Sequence, residues 1–231
     1  MSVVERGVDT QSFDHLFAIA ASRKGGEAAF RATFPAVKSA VALRQIPDDR
    51  WLAMMARCVF QAGFNWKVID SKWPGFEAAF EGFDPGRWSL MSDYDLDRLL
   101  SDTRVVRHAK KLMSVGANAQ FLRELAQAHG SAAACFADWP ADDYVGLLAM
   151  LKKRGSRLGG NTGQYFLRFM GRDGFVLGGD VVTALIREGV VDKMPSSAKD
   201  MAKVKAAFDT WAEESGLPLS AISRTLACTV G

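Results

Sequence analysis

The chain has 231 residues, 48% of them hydrophobic, with a formal net charge of +3 at pH 7. That apolar fraction suffices for a buried core and excludes disorder over most of the length, whereas the slight basic excess is weak support by itself for a polyanionic partner. The three cysteines, Cys58, Cys135 and Cys228, are odd in number and widely spaced, and the three histidines are scattered; buried thiols in a reducing compartment fit this pattern better than a disulfide frame or a zinc site, so no metal and no cofactor are expected.

Taken in order, the chain reads as helices throughout. No basic-then-apolar leader opens it and no apolar run approaches the ~20 residues of a membrane span, so a cytoplasmic protein with no membrane association is expected. Residues 1–45 offer one short stripe, Phe13, Leu16, Phe17 and Ala20, ended by Gly25–Gly26. Trp51, Met55, Cys58, Ala62 and Trp66 form the next, after a turn at Ile46–Asp48. Ser92 with Asp95 resembles a capping box opening a further helix. Val106 to Ala128 is a long amphipathic segment in which Gly116 allows a neighbour to approach closely. Asp142 or Asp143 caps a helix that ends in Lys152–Lys153–Arg154, and Ser196 or Ser197 caps one whose inward face is Met201, Val204, Phe208 and Trp211. All seven prolines are read at helix edges, and alternation never persists over a strand's length. The expected class is all-α.

Three groups of residues could carry chemistry. The first is the glycine-rich connection after Lys153–Arg154. Gly155 sits where a helix ends, and Gly159, Gly160 and Gly163 strip side chains from the start of the next helix. Backbone N–H groups exposed there, with Lys153 and Arg157 beside them, can hold a phosphate. An ordinary tight helix connection explains the glycines equally well, and the GK[ST] ending of a P-loop is missing. The second is Asp180, which follows Gly178–Gly179 and can cap a helix while presenting its carboxylate to a cleft. The third is the aromatic region around Gln61–Trp66, with Phe60, Phe64, Trp73, Phe76, Phe80 and Trp88. Such rings stack flipped bases, although at helical spacing they more often form plain core.

In combination these motifs resemble 3-methyladenine DNA glycosylase I, a family of helix-hairpin-helix DNA glycosylases. The resemblance is carried by Gln61-Ala62-Gly63-Phe64-Asn65-Trp66, Phe83-Asp84-Pro85, Asp102, Val105 to His108, Lys111 and Asn118-Ala119. Beyond these come Leu151-Lys152-Lys153-Arg154-Gly155, Gly160, Thr162 and Tyr165. It implies a two-lobed all-helical bundle with an interlobe cleft, in one domain over residues 1–231. Its core would be about 46–190, with 1–45 and 191–231 helical and completing the second lobe. Trp66 becomes the residue that stacks on the flipped base, with Cys58, Gln61 and Phe64 around it. Lys153, Gly155, Arg157, Gly159, Gly160, Thr162 and Gly163 become the grip on the DNA backbone.

The chain also departs from that pattern. Cys58 stands where the family carries its pocket glutamate, and the family's zinc ligands have no counterparts. Asp180 follows Leu158 by 22 residues, close to the spacing of the catalytic aspartate in the broader superfamily, and Gln164 stands where bifunctional members carry a lysine nucleophile. The resemblance therefore implies a monofunctional glycosylase excising alkylated purines such as 3-methyladenine from double-stranded DNA. The protein would act as a monomer in base excision repair, with Asp180 as catalytic carboxylate. A catalytically inactive DNA-binding or damage-sensing protein is the alternative.

Overall fold

A computed structural model describes residues 11–230. Every regular element among the described residues is helical, and none of these helices is long and apolar enough to cross a membrane. The chain opens with α1 (Phe13–Arg23) and α2 (Glu27–Arg31). It continues through α3 (Ala40–Arg44), α4 (Asp48–Gln61), α5 (Trp66–Ala79), α6 (Pro85–Trp88), α7 (Asp93–Ser101), α8 (Ala109–His129) and α9 (Ala132–Asp138). Next come α10 (Tyr144–Arg154) and α11 (Asn161–Met170), and the chain closes with α12 (Gly179–Arg187), α13 (Ala198–Ser215) and α14 (Leu219–Cys228).

These helices fall into two compact units. One spans Lys38–Arg172 without interruption; the other joins the described residues before Lys38 to those from Asp173 onward. In the continuous unit α4 is the central element, packing on α5, α8, α9 and α11. Its Trp51 stacks on Phe136 at 4.7 Å and meets Phe166 edge-on at 5.7 Å. A second aromatic block, Phe60, Phe76, Phe80, Phe83 and Trp88, is fully buried. Four aromatics that could have lined a pocket (Phe60, Phe76, Phe80 and Trp88) are therefore core. In the discontinuous unit α14 packs on α1, α12 and α13, and Phe208 packs against both Phe175 and Trp211.

The expected caps form. Ser92–Asp95 and Ser197–Asp200 are reciprocal capping boxes, and Asp143 accepts from the Gly146 amide. Gly116 presses on the Trp88 carbonyl and the Met91 side chain, where a Cβ would lie 3.3 and 2.9 Å away. Two expectations change. Pro74 lies inside α5, where it removes one backbone donor from the helical ladder. The stripe from Trp51 to Trp66 is also not one helix. It breaks at Ala62–Gly63, because Gly63 takes φ +74° and turns the chain between α4 and α5.

Candidate functional site

The connection between α10 and α11 is built by close backbone approach. Gly155 ends α10 with its amide on the Leu151 carbonyl at 2.9 Å. Its backbone is extended, so the glycine serves packing: a Cβ would sit 2.6 Å from the Leu158 side chain. Leu158 is buried and anchors the hairpin. At Gly163 the constraint is harder, since a Cβ would fall 2.3 Å from the Leu158 carbonyl oxygen. Gly160 supplies the reversal at φ +58°, and Arg157 adopts φ +62°, a strained value for a residue with a side chain.

Asn118 of α8 clamps this hairpin from below. Its amide donates to the Ser156 carbonyl at 3.1 Å and accepts from the Ser156 N–H at 2.7 Å, with only 1% of the residue exposed. Gly160 is the N-cap of α11 and brings no side chain to it. The first N–H groups of that helix are left uncapped, which is the geometry that receives an anion. Lys152, Lys153 and Arg157 are exposed and make no ion pair among the described residues. Arg154 is committed elsewhere, bonded to Glu124 at 3.2 Å and lying over the Phe121 ring.

Beside the hairpin lies a pocket of about 160 Å³ lined by Cys58, Gln61, Phe64, Trp66, Thr162 and Tyr165, among others. The structure thus brings together all four residues singled out around the QAG motif, and adds Thr162 from the hairpin side. Trp66 meets Tyr165 edge-on at 5.1 Å and Phe169 at 6.0 Å. Phe64 and Trp66 are each 40% exposed, unlike the buried aromatics of the core. An adjoining hollow of about 300 Å³ is lined by Val59, Ala62, Arg157, Gly159 and Thr162, so pocket and hollow share Ala62 and Thr162.

Polar groups fix the pocket's frame. Gln61 donates to Asp70 at 3.0 Å, and Asp70 also accepts from Arg57 at 2.8 Å. A carboxylate only accepts, so this bond orients the Gln61 amide and leaves its oxygen without a hydrogen-bond partner. Lys111 is 3% exposed and donates to the Phe60 and Ala62 carbonyls at 3.1 and 2.6 Å. Its ammonium sits 4.4 Å from the centre of the Phe64 ring. Burial lowers its pKa, with the Arg157 charge adding to the effect. Burial also pushes the Cys58 thiol up to about 12, against a smaller opposing effect of Arg57, so the thiol is neutral across the physiological range.

Asp180 belongs to the other unit. It does not cap α12: Gly178 is the N-cap, and Asp180 is the second helical residue, exposed, in the acidic first turn. The two-glycine run lets the helix start early, and the carboxylate interacts with the helix dipole without bonding the end amides. Among the described residues no cluster of three or more His, Cys, Asp or Glu side chains could hold a metal. In the sequence Lys111, Asn118 and Tyr165 stand only as letters of the motif. The available signal was positional: Lys111 and Asn118 fall on the buried stripe of α8 with Val115, Leu122 and Leu125.

Comparison with known proteins follows the same segment. The methyladenine glycosylase family model matches residues 43–145, a stretch holding Cys58 to Trp66, Lys111 and Asn118 but ending before the hairpin. DNA-3-methyladenine glycosylase 1 of Escherichia coli is 31% identical over 67 residues, which are 29% of this chain and 36% of that protein. DNA-3-methyladenine glycosylase of Haemophilus influenzae is 32% identical over 60 residues, 26% and 32% of the two chains. The chain thus spans about a third of the length of the curated relatives it matches. Among solved structures, an 8-oxoguanine DNA glycosylase of Methanocaldococcus jannaschii has a TM-score of 0.58 at 13% identity and covers 91% of each chain, a likeness of fold alone. Over residues 43–145 the chain is thus similar to the methyladenine glycosylases, and its all-α fold is like that of the archaeal 8-oxoguanine DNA glycosylase.

Proposed function

We propose that the protein is a monofunctional DNA glycosylase that releases alkylated purines such as 3-methyladenine from double-stranded DNA, as a monomer and without a cofactor. One observation carries this reading: a pocket walled by Phe64, Trp66 and Tyr165 shares Thr162 with the uncapped start of α11. A helix end that receives phosphate thereby adjoins a cavity well below the 300–1,000 Å³ of a drug-sized ligand site, a volume suited to one planar base. The hairpin, with Lys153 and Arg157, grips the backbone without reading sequence. Trp66 stacks the extruded base, an interaction of about 1–3 kcal/mol. Gln164, buried in α11, offers no amine for a Schiff base, in keeping with hydrolysis by water.

Asp180 is assigned to stabilise positive charge on the sugar as the glycosidic bond breaks. Incubation with methylated duplex DNA and chromatography of the released bases tests the activity; absence of every alkylpurine from the products would remove it. Under single turnover Asp180→Asn is expected to slow release by about 10²–10³-fold, and an unchanged rate would withdraw the assignment. A second reading, a damage-binding protein without turnover, is favoured by Cys58, whose neutral thiol leaves the pocket lining without a carboxylate. Both readings predict binding to a duplex carrying a stable abasic analogue; only the first predicts base release.

A further inference from the structure

The pocket is electrostatically one-sided. None of its lining residues is acidic, and Cys58 is neutral. Beside the pocket the ammonium of Lys111 is held beneath the QAG turn by the Phe60 and Ala62 carbonyls and against the face of Phe64, a lining residue. Lys111 makes no ion pair among the described residues, and Asp70, the acid bonded to Gln61, is already neutralised by Arg57. Arg157, lining the adjoining hollow, adds a second positive charge. A base stacked against Phe64 and Trp66 would be separated from the ammonium by about one aromatic ring.

We propose that Lys111 is a specificity-determining residue that makes the pocket favour the neutral form of a base over its cationic form. The inference rests on the glycosylase reading and gives it a driving force. In an N3-alkylated deoxyadenosine the base carries the positive charge. When the bond from C1′ to N9 breaks, both electrons leave on N9, the base becomes neutral and the sugar takes up the charge. Water then adds to C1′ and loses a proton to solvent. A fixed cation beside the base opposes the charged ground state and not the neutral leaving group, so its contribution appears in the barrier. Charges roughly 7–8 Å apart at an effective dielectric of about 20 change such a preference by more than tenfold. The same arrangement admits damaged bases that are neutral from the outset.

The test compares two free-base probes, 3-methyladenine, which is neutral, and 3,9-dimethyladeninium, a permanent cation of the same ring. Binding is read by tryptophan-fluorescence titration at a pH where 3-methyladenine is uncharged. The wild-type protein is expected to prefer the neutral probe by about tenfold or more. In Lys111→Gln, which keeps a donor for the Ala62 carbonyl but removes the charge, the ratio should fall at least about fivefold. Lys111→Met should behave likewise and Lys111→Arg should retain the preference. Thermal unfolding identifies which variants are folded, and the Gln variant decides the matter if the Met variant is not. A ratio unchanged in folded Lys111→Gln would overturn the proposal while leaving the glycosylase reading intact. Failure of wild-type protein to bind either probe would overturn the base-pocket reading and this inference with it.

Discussion

Replacing Asn118 by alanine should release the hairpin without touching it. The side chain is 1% exposed and makes two hydrogen bonds to one residue, Ser156, across 38 positions of sequence. Alanine leaves the Ser156 N–H and C=O without these partners, and each lost bond to a buried group costs about 1–1.5 kcal/mol. The sum is about 2–3 kcal/mol, which for a chain of this length lowers Tm by roughly 5–10 °C. Because the bonds end on the hairpin, the loss should be local as well as global. Amide hydrogen exchange from Gly155 to Gly160 is expected to accelerate, while the core around Trp51 changes only with overall stability. Asn118→Asp separates the two bonds: a carboxylate still accepts from the Ser156 N–H but faces the Ser156 carbonyl with no donor. Its stability should fall at neutral pH and partly recover when the acid is protonated. A Tm for Asn118→Ala within about 1 °C of wild type, with unaltered exchange at Ser156, would refute the clamp.

Three other outcomes follow from the same geometry. The Cys58 thiol, pushed up to about 12 by burial, should resist iodoacetamide at pH 8 in the native protein and react only on unfolding, as mass spectrometry would reveal. Asp95, held well below the usual carboxylate range by Arg87, despite burial, and further lowered by Ser92, stabilises the fold when ionised. This contribution is complete above about pH 4 and is lost as pH falls through the depressed native value. Asp95→Asn should therefore cost about 1.5–3 kcal/mol at pH 7 in urea unfolding, with the deficit shrinking below about pH 4. If Arg157 contacts a phosphate, Arg157→Gln should reduce the slope of log affinity against log salt by about 1 for duplex DNA, equally for any sequence; an unchanged slope would remove that contact.

How much of this was readable in advance depended on how far each interaction reaches along the chain. The caps at Ser92, Ser197 and Asp143 are encoded within four residues and were legible. So was the hairpin, whose glycines answer to steric conflicts with Leu151 and Leu158 a few positions away. The pocket was legible on one wall, Gln61 to Trp66, because that wall is one continuous motif. Its other wall comes from α11, roughly a hundred residues later, and Tyr165 looked like spacing, not surface. Lys111 and Asn118 could be placed on the buried stripe of α8, but their partners could not be read: these are backbone carbonyls and amides, which leave no mark in the side-chain pattern. Local signals also misled. Gly178 could cap α12 as well as Asp180 could, and Pro74 sits within a helix that tertiary packing sustains.

The discontinuous unit has a consequence for synthesis. Its first helix is tied to its last third: the Phe13 amide bonds the Glu214 carboxylate at 2.8 Å, and the Trp211 indole bonds the Gln11 carbonyl at 3.3 Å. As the ribosome works from the N-terminus, α1 and α2 emerge with none of these partners yet made. The stretch from Lys38 to Arg172 is completed next and can fold in order of translation. Phe13, Leu16 and Phe30, all buried in the finished protein, must wait uncovered until α13 and α14 have left the exit tunnel. Stalled or truncated chains lacking those helices would carry a sticky amino-terminal segment on an otherwise folded body. The early helices are thus a segment that nascent-chain chaperones should engage while α13 and α14 are still to be made.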